Sequence, residues 1–118
     1  MVQWVDSAKS AQLDAGMERV RMRFFRSLAE RKKRFSDLLG ALHVSERRAE
    51  TADILKQEAH SLHGLSGIVG CSDISAGAAA LEQRIESQLS ALGQDDVAEV
   101  AALVAGLLET MGQYLDAG

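Results

Sequence analysis

Apolar residues recur at three- and four-residue steps along almost the whole chain, and no proline interrupts them. Such spacing places these residues on one face of an α-helix. Alanine, leucine, glutamate, arginine and glutamine, which favour helices, are abundant, whereas aromatic residues make up only 4% of the chain. The composition argues against a β-sandwich or barrel, and the length of 118 residues indicates one all-α domain.

The spacing predicts one short helix followed by four long helices. The short helix covers residues 3–11, and the long helices cover residues 16–42, residues 47–69, residue 72 to Leu92, and the chain from Asp95 or Asp96 onward. The four apolar stripes consist of Met17, Val20, Phe24, Leu28, Phe35, Leu38 and Leu42; Leu55, Ala59, Leu62, Ser66 and Val69; Ile74, Ala78, Leu81, Ile85 and Leu89 or Leu92; and Val97, Ala101, Val104, Leu108, Met111 and Leu115. Only Arg31 interrupts the first stripe.

Four amphipathic helices joined by short loops bury their stripes most simply in a helix bundle. We therefore expect an antiparallel up-down-up-down four-helix bundle with a short extra N-terminal helix. Residues 1–118 are expected to form a single domain, with residues 1–15 as an N-terminal extension and residues 16–116 as the bundle. At the helix ends, Ser45 and Ser72 are candidate N-caps, and Gly70 and Gly93 fit C-terminal stops.

The net charge of −4 and the pI of about 5.3 argue against nucleic-acid binding, which usually requires a basic balance. The one basic run, residues 31–34, is interpreted as a solvated helix face. The single cysteine, Cys71, allows no internal disulfide. The first residues do not resemble a secretory signal, and no run of 18 apolar residues exists. We expect a soluble, cytoplasmic, monomeric protein that binds neither nucleic acid nor membrane.

Residues 58–70 read EAHSLHGLSGIVG, so a predicted helix holds glycines beside two histidines. At about 100° per residue, His60 lies about 140° from the centre of the apolar stripe, on the face opposite the core. His63 lies at about 80°, at the border of the same face. The residues that surround His60 on this outer face are Asp53, Lys56, Gln57, Gly64 and Gly67.

Gly64 and Gly67 remove side chains next to His60, although glycine costs a helix up to about 1 kcal/mol relative to alanine. Two explanations are open from this geometry. The glycines either let another protein approach His60 closely or let a neighbouring helix pack tightly.

An exposed imidazole is mostly neutral near neutral pH and is nucleophilic, so it can attack phosphorus and carry a phosphoryl group. Phosphoryl transfer requires in-line positioning and positive charge near the equatorial oxygens. His63 is one turn away and can donate a hydrogen bond, or a full charge when protonated. Lys56 is a second candidate cation on that face.

The segment from Ala59 to Gly70 resembles the signature of histidine-containing phosphotransfer (HPt) domains of two-component phosphorelays. The family pattern runs Ala-His-x-Leu-Lys-Gly, then a small residue two positions on and a glycine four positions after that. Ser66 fills the small position and Gly70 the later glycine. Downstream, Leu81 and Glu82 resemble the Leu-Glu pair that the family often carries on its next helix.

The resemblance implies that His60 accepts a phosphoryl group from the receiver aspartate of a hybrid histidine kinase and passes it to the receiver of a response regulator. It implies no kinase activity and no cofactor of its own, with Mg²⁺ supplied by the partner receiver. The residues expected around the phosphate and the imidazole are His63, Gly64, Lys56, Gln57 and Glu82. Glu82 matches a position that hydrogen-bonds the ring in chemotaxis-kinase HPt domains, and an ordinary surface glutamate is the alternative.

One departure from the family pattern concerns His63, where the family usually has a lysine that contacts the phosphoryl group. Phosphate stabilisation is therefore expected to be weaker or pH-dependent, because a phosphoryl dianion favours the protonated form of a nearby imidazole. A spectator role on the rim is the alternative. The candidates for receiver docking are Gly67, Leu65 and Ile68, with Phe25 and Leu39 as similar candidates; core packing is the favoured interpretation of these apolar side chains.

Three alternative functions would use parts of the same pattern. An adaptor of the same fold would bind receivers without accepting phosphate, which the histidine at position 63 leaves open. A substrate domain of a chemotaxis-type kinase would be phosphorylated in trans, since the chain contains no ATP-binding module. A metal- or haem-binding bundle would use His60, His63 and Cys71, but four clean ligands are not visible, and His60 points away from the bundle core where such sites are built.

Overall fold

The computed structural model describes residues 3–87 and 94–117, with side chains described for residues 14–87 and 96–116. This part of the chain forms four α-helices: α1 (Gln3–Leu42), α2 (Arg48–Ile68), α3 (Ser72–Glu86) and α4 (Gln94–Ala117). A short 3₁₀ turn, Ser45–Arg47, precedes α2. The predicted all-α fold with four helices is confirmed, and none of the described residues lies in a β-strand.

The helices pack in a closed cycle, in which both α1 and α3 contact α2 and α4. Polar contacts show that neighbours run antiparallel. Arg34 near the end of α1 pairs with Glu58, whereas Arg21 nearer its start donates a hydrogen bond to the carbonyl at the end of α2. Arg84 near the end of α3 pairs with Asp96 at the start of α4. The described helices are not long and apolar enough for any of them to cross a membrane.

The core lies along the axis between the four helices and follows most of the predicted stripes. The largest side chains that are fully buried are Phe35, Leu28, Leu42, Leu55, Leu62, Ile74, Leu81 and Met111. At about 25 cal/mol per Å² of buried apolar surface, side chains of this size are the main source of stability. The core therefore fixes which faces of α2 and α3 remain for other uses.

The register of α4 differs from the prediction. Val97, Val104 and Met111 are buried as expected. Between them, Val100 and Leu107 take the buried positions that the stripe assigned to Ala101 and Leu108, which are only half-buried. Residues 100–108 are apolar nearly all round the helix, so periodicity alone does not choose between adjacent rows, and packing against α1 and α3 decides.

The predicted short N-terminal helix does not exist as a separate element, because residues 3–11 and 16–42 belong to one helix of 40 residues. The segment between them, residues 12–15, has no proline, and a single glycine, Gly16, weakens a helix without ending it. A helix of this length spans about 60 Å, close to the longest dimension of the molecule, 63 Å. Since α2 already ends opposite Arg21, the start of α1 extends beyond α2. Met17, predicted to be core, is accordingly 38% exposed.

The helix ends confirm one predicted signal and correct three. Gly70 ends α2 with φ of 83°. Neither serine is an N-cap: Arg47 and Cys71 hold those positions for α2 and α3, and no side-chain cap hydrogen bond forms there. Helix α3 ends at Glu86, earlier than predicted. The predicted positions Leu89, Leu92 and Gly93 lie outside the described residues.

Candidate functional site

His60 lies on the outer face of α2, as the helical wheel predicted, and its side chain is 75% exposed. The residue before it, Ala59, is fully buried, and so is Leu62 two residues later. Because an α-helix turns about 100° per residue, burial of these neighbours fixes the imidazole on the solvent side. The core of the bundle thereby positions the functional face of α2.

Glu82 on α3 holds the imidazole of His60. The ring Nδ1 lies 2.9 Å from Oε1 and 3.0 Å from Oε2 of this carboxylate. An ionised carboxylate only accepts hydrogen bonds, so Nδ1 carries the proton and donates it. In the neutral ring, the lone pair is then on Nε2. The predicted contact between Glu82 and the ring is present, in place of an ordinary surface glutamate.

Packing explains why Glu82 stays in place, since its side chain is only 19% exposed. It follows the fully buried Leu81 on the flank of α3 that faces α2. A second bond between the two helices is donated by the Ser75 hydroxyl to the backbone carbonyl of His63, over 3.2 Å. No sequence signal predicts this role of Ser75, because a serine at the start of a helix has many possible partners.

Ion pairs join the other side of α3 to α4. The Arg84 guanidinium lies 2.9 Å from the carboxylate of Asp96 and also binds Glu99, both on α4. Glu82 and Arg84 are about 200° apart around α3. The helix that positions the imidazole is therefore bonded on one side to α2 and on the other side to α4.

The two glycines beside His60 have different surroundings. Apart from its chain neighbours and the backbone of its own helix, a Cβ added at Gly64 would meet no described atom within 4 Å. A Cβ added at Gly67 would lie 3.5 Å from the Ser75 hydroxyl, which is ordinary van der Waals contact. Packing within the bundle therefore does not require glycine at position 64, and of the two explanations left open, access to His60 is the one that fits Gly64.

The remaining residues predicted around the phosphate share the exposed side of α2 and form no described hydrogen bond to His60. His63 and Gln57 are exposed, and Lys56 is half-buried. No side-chain hydrogen bond or ion pair joins any of the three to another described residue. The carbonyl of His63, in contrast, accepts hydrogen bonds from Ser66 and Ser75, so its backbone is fixed while its ring is free of protein partners.

The predicted docking residues divide into packed and exposed groups. Ile68 is 58% exposed, more than any other large hydrophobic side chain among the described residues. Leu65 is half-buried and packs against the core, as do Phe25 and Leu39. The Phe25 ring lies 5.4 Å from that of Phe24 and 6.0 Å from that of Tyr114, in agreement with a packing role.

The described side chains contain no group of three or more His, Cys, Asp or Glu that would hold a metal ion. Cys71 is buried at the start of α3, whereas His60 is on the exposed face of α2. The three residues considered for a metal or haem site are thus not brought together.

A helical bundle that presents an exposed imidazole, oriented by a carboxylate on the next helix, defines a class of phosphoryl-carrying domains. A family profile described as Hpt domain matches residues 9–116. The chain therefore belongs to the histidine-containing phosphotransfer family of two-component phosphorelays. Members of this family are in general phosphocarriers rather than enzymes, and they interact with receiver domains. Comparison with curated proteins and with solved structures gave no match.

Proposed function

We propose that His60 accepts a phosphoryl group from the aspartyl phosphate of a receiver domain in a hybrid histidine kinase and passes it to the aspartate of a response-regulator receiver. The observation that carries this proposal is the hydrogen bond between His60 Nδ1 and Glu82, 2.9 Å long, on an otherwise exposed ring. The bond leaves Nε2 as the nucleophile. It also keeps the ring in one orientation before the partner arrives.

Each half of the transfer forms one bond to phosphorus and breaks another. The Nε2 lone pair forms a bond to phosphorus while the bond from phosphorus to the aspartate oxygen breaks, and the aspartate leaves as a carboxylate. The proton on Nδ1 stays in place, so positive charge develops on the ring, where the Glu82 carboxylate stabilises it. In the second half, a carboxylate oxygen of the next receiver attacks phosphorus, and the electron pair of the phosphorus–nitrogen bond returns to Nε2.

The rest of the chemistry comes from the partner. Each receiver brings its aspartate and the Mg²⁺ that neutralises charge on the transferred group, so this chain needs neither a cofactor nor an ATP site. The chain contributes access at Gly64 and hydrogen-bond donors or positive charge from His63, Lys56 and Gln57. We place the exchange in the cytoplasm, where both types of receiver work.

The test uses radiolabelled, phosphorylated receiver domains and Mg²⁺. We expect the wild-type chain to acquire acid-labile phosphate, as phosphohistidine does, and the His60→Gln variant to acquire none. His63→Gln and His43→Gln are matched controls that should still be labelled, because no carboxylate among the described residues binds either ring. Labelling that persists in His60→Gln would place the acceptor elsewhere.

A wild-type chain that binds a receiver without becoming labelled would instead be a receiver-binding adaptor. A second donor is also compatible with the geometry, because Glu82 contacts the ring as its counterpart does in chemotaxis-kinase HPt domains. Incubation with the ATP-dependent catalytic domain of a chemotaxis-type kinase distinguishes the two donors. Rapid labelling by that domain and none by phosphorylated receivers would favour a kinase substrate.

A further inference from the structure

An open groove runs between α1 and α2 on the flank of the bundle next to the His60 face. Its volume is about 310 Å³, and its lining residues are Val20, Arg23, Phe24, Ser27, Arg31 and Leu65. The floor is apolar, and the two guanidinium groups are the charged groups of its lining. The groove therefore combines an apolar contact surface with two positive charges.

Arg31 occupies a position at which the bundle would favour an apolar residue. It falls in the stripe between Leu28 and Phe35, both fully buried, and is itself half-buried. Its Nε donates a long hydrogen bond, 3.4 Å, to the Ser27 hydroxyl. Among the described side chains, no carboxylate forms an ion pair with Arg31.

The other arginine of the groove, Arg23, is exposed and likewise has no carboxylate partner among the described residues. Elsewhere in the same bundle, Arg34 pairs with Glu58 and Arg84 pairs with Asp96. A partly desolvated cation is unfavourable unless an anion compensates it. The described residues supply no such anion to Arg31, which points to a compensating carboxylate on another molecule.

The groove is continuous with the phosphotransfer face. Around α2, His60 and Leu65 are about 140° apart, and the helix surface between them carries Ser61, Gly64 and Ile68, all exposed. A partner that covers His60 crosses this small and apolar surface before it reaches the two arginines. On the other side of His60, Glu82 and α3 occupy the space.

We propose that the groove, centred on Arg31 and Arg23, docks the receiver domain that exchanges phosphate with His60, through a carboxylate-bearing apolar patch on that receiver. This inference rests on the proposed function. The charge distribution supports an acidic partner at this helix, since nine of the 13 Lys and Arg residues are on α1 although the whole chain has a net charge of −4. Complementary charges of this kind set the association rate and the choice of partner.

A panel of purified, phosphorylated receiver domains first identifies the receiver that labels the full chain fastest. The experiment then measures the kinetics of phosphotransfer from that receiver to the chain at several salt concentrations. The informative variant is Arg31→Leu, because leucine suits a stripe position and should leave the bundle at least as stable in urea unfolding. We expect KM for the receiver to rise about tenfold, with the loss in KM rather than kcat. The salt dependence of KM should become shallower.

Two further variants keep the test specific. Arg31→Lys retains a positive charge and should recover part of the loss. Lys33→Leu removes a charge from α1 about 200° away from Arg31, on the exposed side of the helix, and should leave KM unchanged. Equal KM values for Arg31→Leu and wild type would overturn the proposal, and so would equal losses in Arg31→Leu and Lys33→Leu.

Phosphoramidate, a small donor that needs no docking surface, separates this inference from the proposed function. If phosphoramidate labels the wild-type chain but not His60→Gln, His60 is reactive. This conclusion holds whatever KM values the groove variants give. A chain that neither phosphoramidate nor any receiver labels at His60 would refute the proposed function and the docking inference together.

Discussion

At the scale of single residues, the chemistry of His60 is set by a residue on another helix. The Glu82 carboxylate accepts a hydrogen bond from Nδ1 over 2.9 Å, which directs the lone pair of the neutral ring to Nε2. Under the proposed function, the same carboxylate would stabilise the positive charge of the phosphorylated ring. Two effects follow from one contact: a fixed tautomer and a local negative charge. They are separable, because an amide keeps an acceptor oxygen but has no charge.

We expect Glu82→Gln to slow phosphotransfer to His60 about tenfold, because a hydrogen bond to a charged group contributes more than a neutral one. Glu82→Ala should be slower still and should abolish the preference for a proton on Nδ1, which ring-nitrogen NMR detects. Glu86→Ala removes an exposed glutamate of the same helix and serves as the control. An unchanged tautomer and rate in Glu82→Ala would refute the positioning role.

Gly64 offers a test in which stability and function change in opposite directions. Because an added Cβ meets no atom within 4 Å, Gly64→Ala should raise the free energy of unfolding by about 0.5–1 kcal/mol. Under the proposed function, the same methyl group would occupy the space beside His60 that a receiver would enter, so phosphotransfer from the receiver should fall. Urea unfolding and transfer kinetics measure the two effects.

The matched control is Gly106→Ala on α4, where an added Cβ also has no atom within 4 Å. It should stabilise the chain similarly and leave transfer unchanged. Equal transfer rates for Gly64→Ala and Gly106→Ala would mean that Gly64 is not part of the access path.

The histidine at position 63 leads us to expect that phosphotransfer to His60 depends on pH. An imidazole changes charge near neutral pH, and a phosphoryl dianion on His60 would favour its protonated form. Transfer to wild-type His60 should therefore weaken as pH rises from about 6 to about 8, whereas the profile of His63→Lys should be flatter. Superimposable profiles of the two proteins in that range would leave His63 without a charge role.

At the scale of elements, the end of α2 is fixed by its backbone. The amide of Cys71 bonds to the carbonyl of Ser66 over 2.8 Å, and the amide of Gly70 bonds to that of Gly67 over 3.3 Å. This pair of bonds is the Schellman motif, which needs a left-handed residue at Gly70. Arg21 of α1 adds a hydrogen bond to the carbonyl of Val69, so the turn also joins α2 to α1.

We expect Gly70→Ala to lower the free energy of unfolding by about 1–2 kcal/mol, because the Cβ of an L-residue is strained at a φ of 83°. This change in the free energy of unfolding has the opposite sign to the change expected for Gly106→Ala, although both substitutions replace glycine with alanine. Urea unfolding of both variants measures the difference. A neutral Gly70→Ala would show that the turn relaxes to another conformation.

The sequence predicts α2 well because its signals are local. Its apolar stripe, its glycine stop and the exposure of His60 all follow from spacing along one helix. Two of the errors, the division of α1 and the register of α4, arose where local signals are ambiguous. No residue between Ala11 and Gly16 ends a helix, so α1 is continuous, and the apolar run of residues 100–108 left the register of α4 to packing.

Contacts between helices were harder to predict. The contact of Glu82 with the imidazole was predicted only from the resemblance to the family. No sequence signal predicted the contacts of Ser75 and Arg84 or the groove between α1 and α2. Their roles depend on which face of one helix meets which face of the next, and that is set by how the buried side chains pack. A hydrogen bond such as that from Ser75 to the His63 carbonyl is therefore a property of the assembled bundle.

At the scale of the whole molecule, one hydrogen bond joins the start of α3 to the end of α4. The Tyr114 hydroxyl donates to Asp73 Oδ1 over 2.6 Å, and the tyrosine ring lies 6.0 Å from that of Phe25 on α1. Three helices thus meet at this end of the bundle, next to the turn that ends α2. The hydrogen bond to Asp73 raises the pKa of Tyr114 well above its ordinary value, with smaller contributions from burial and from Cys71.

The sign of this shift predicts how the bundle responds to alkaline pH. Because the folded state favours the neutral phenol, the stabilisation is complete below the ordinary tyrosine pKa of about 10 and is lost as pH rises above it. Tyr114 is the only tyrosine, so phenolate absorbance reports it alone. We expect it to ionise at higher pH in the native chain than in urea, and Asp73→Ala to reduce that difference. Tyr114→Phe should also make unfolding free energy fall less steeply above pH 10 than in wild type, and identical native and urea titrations would refute the contact.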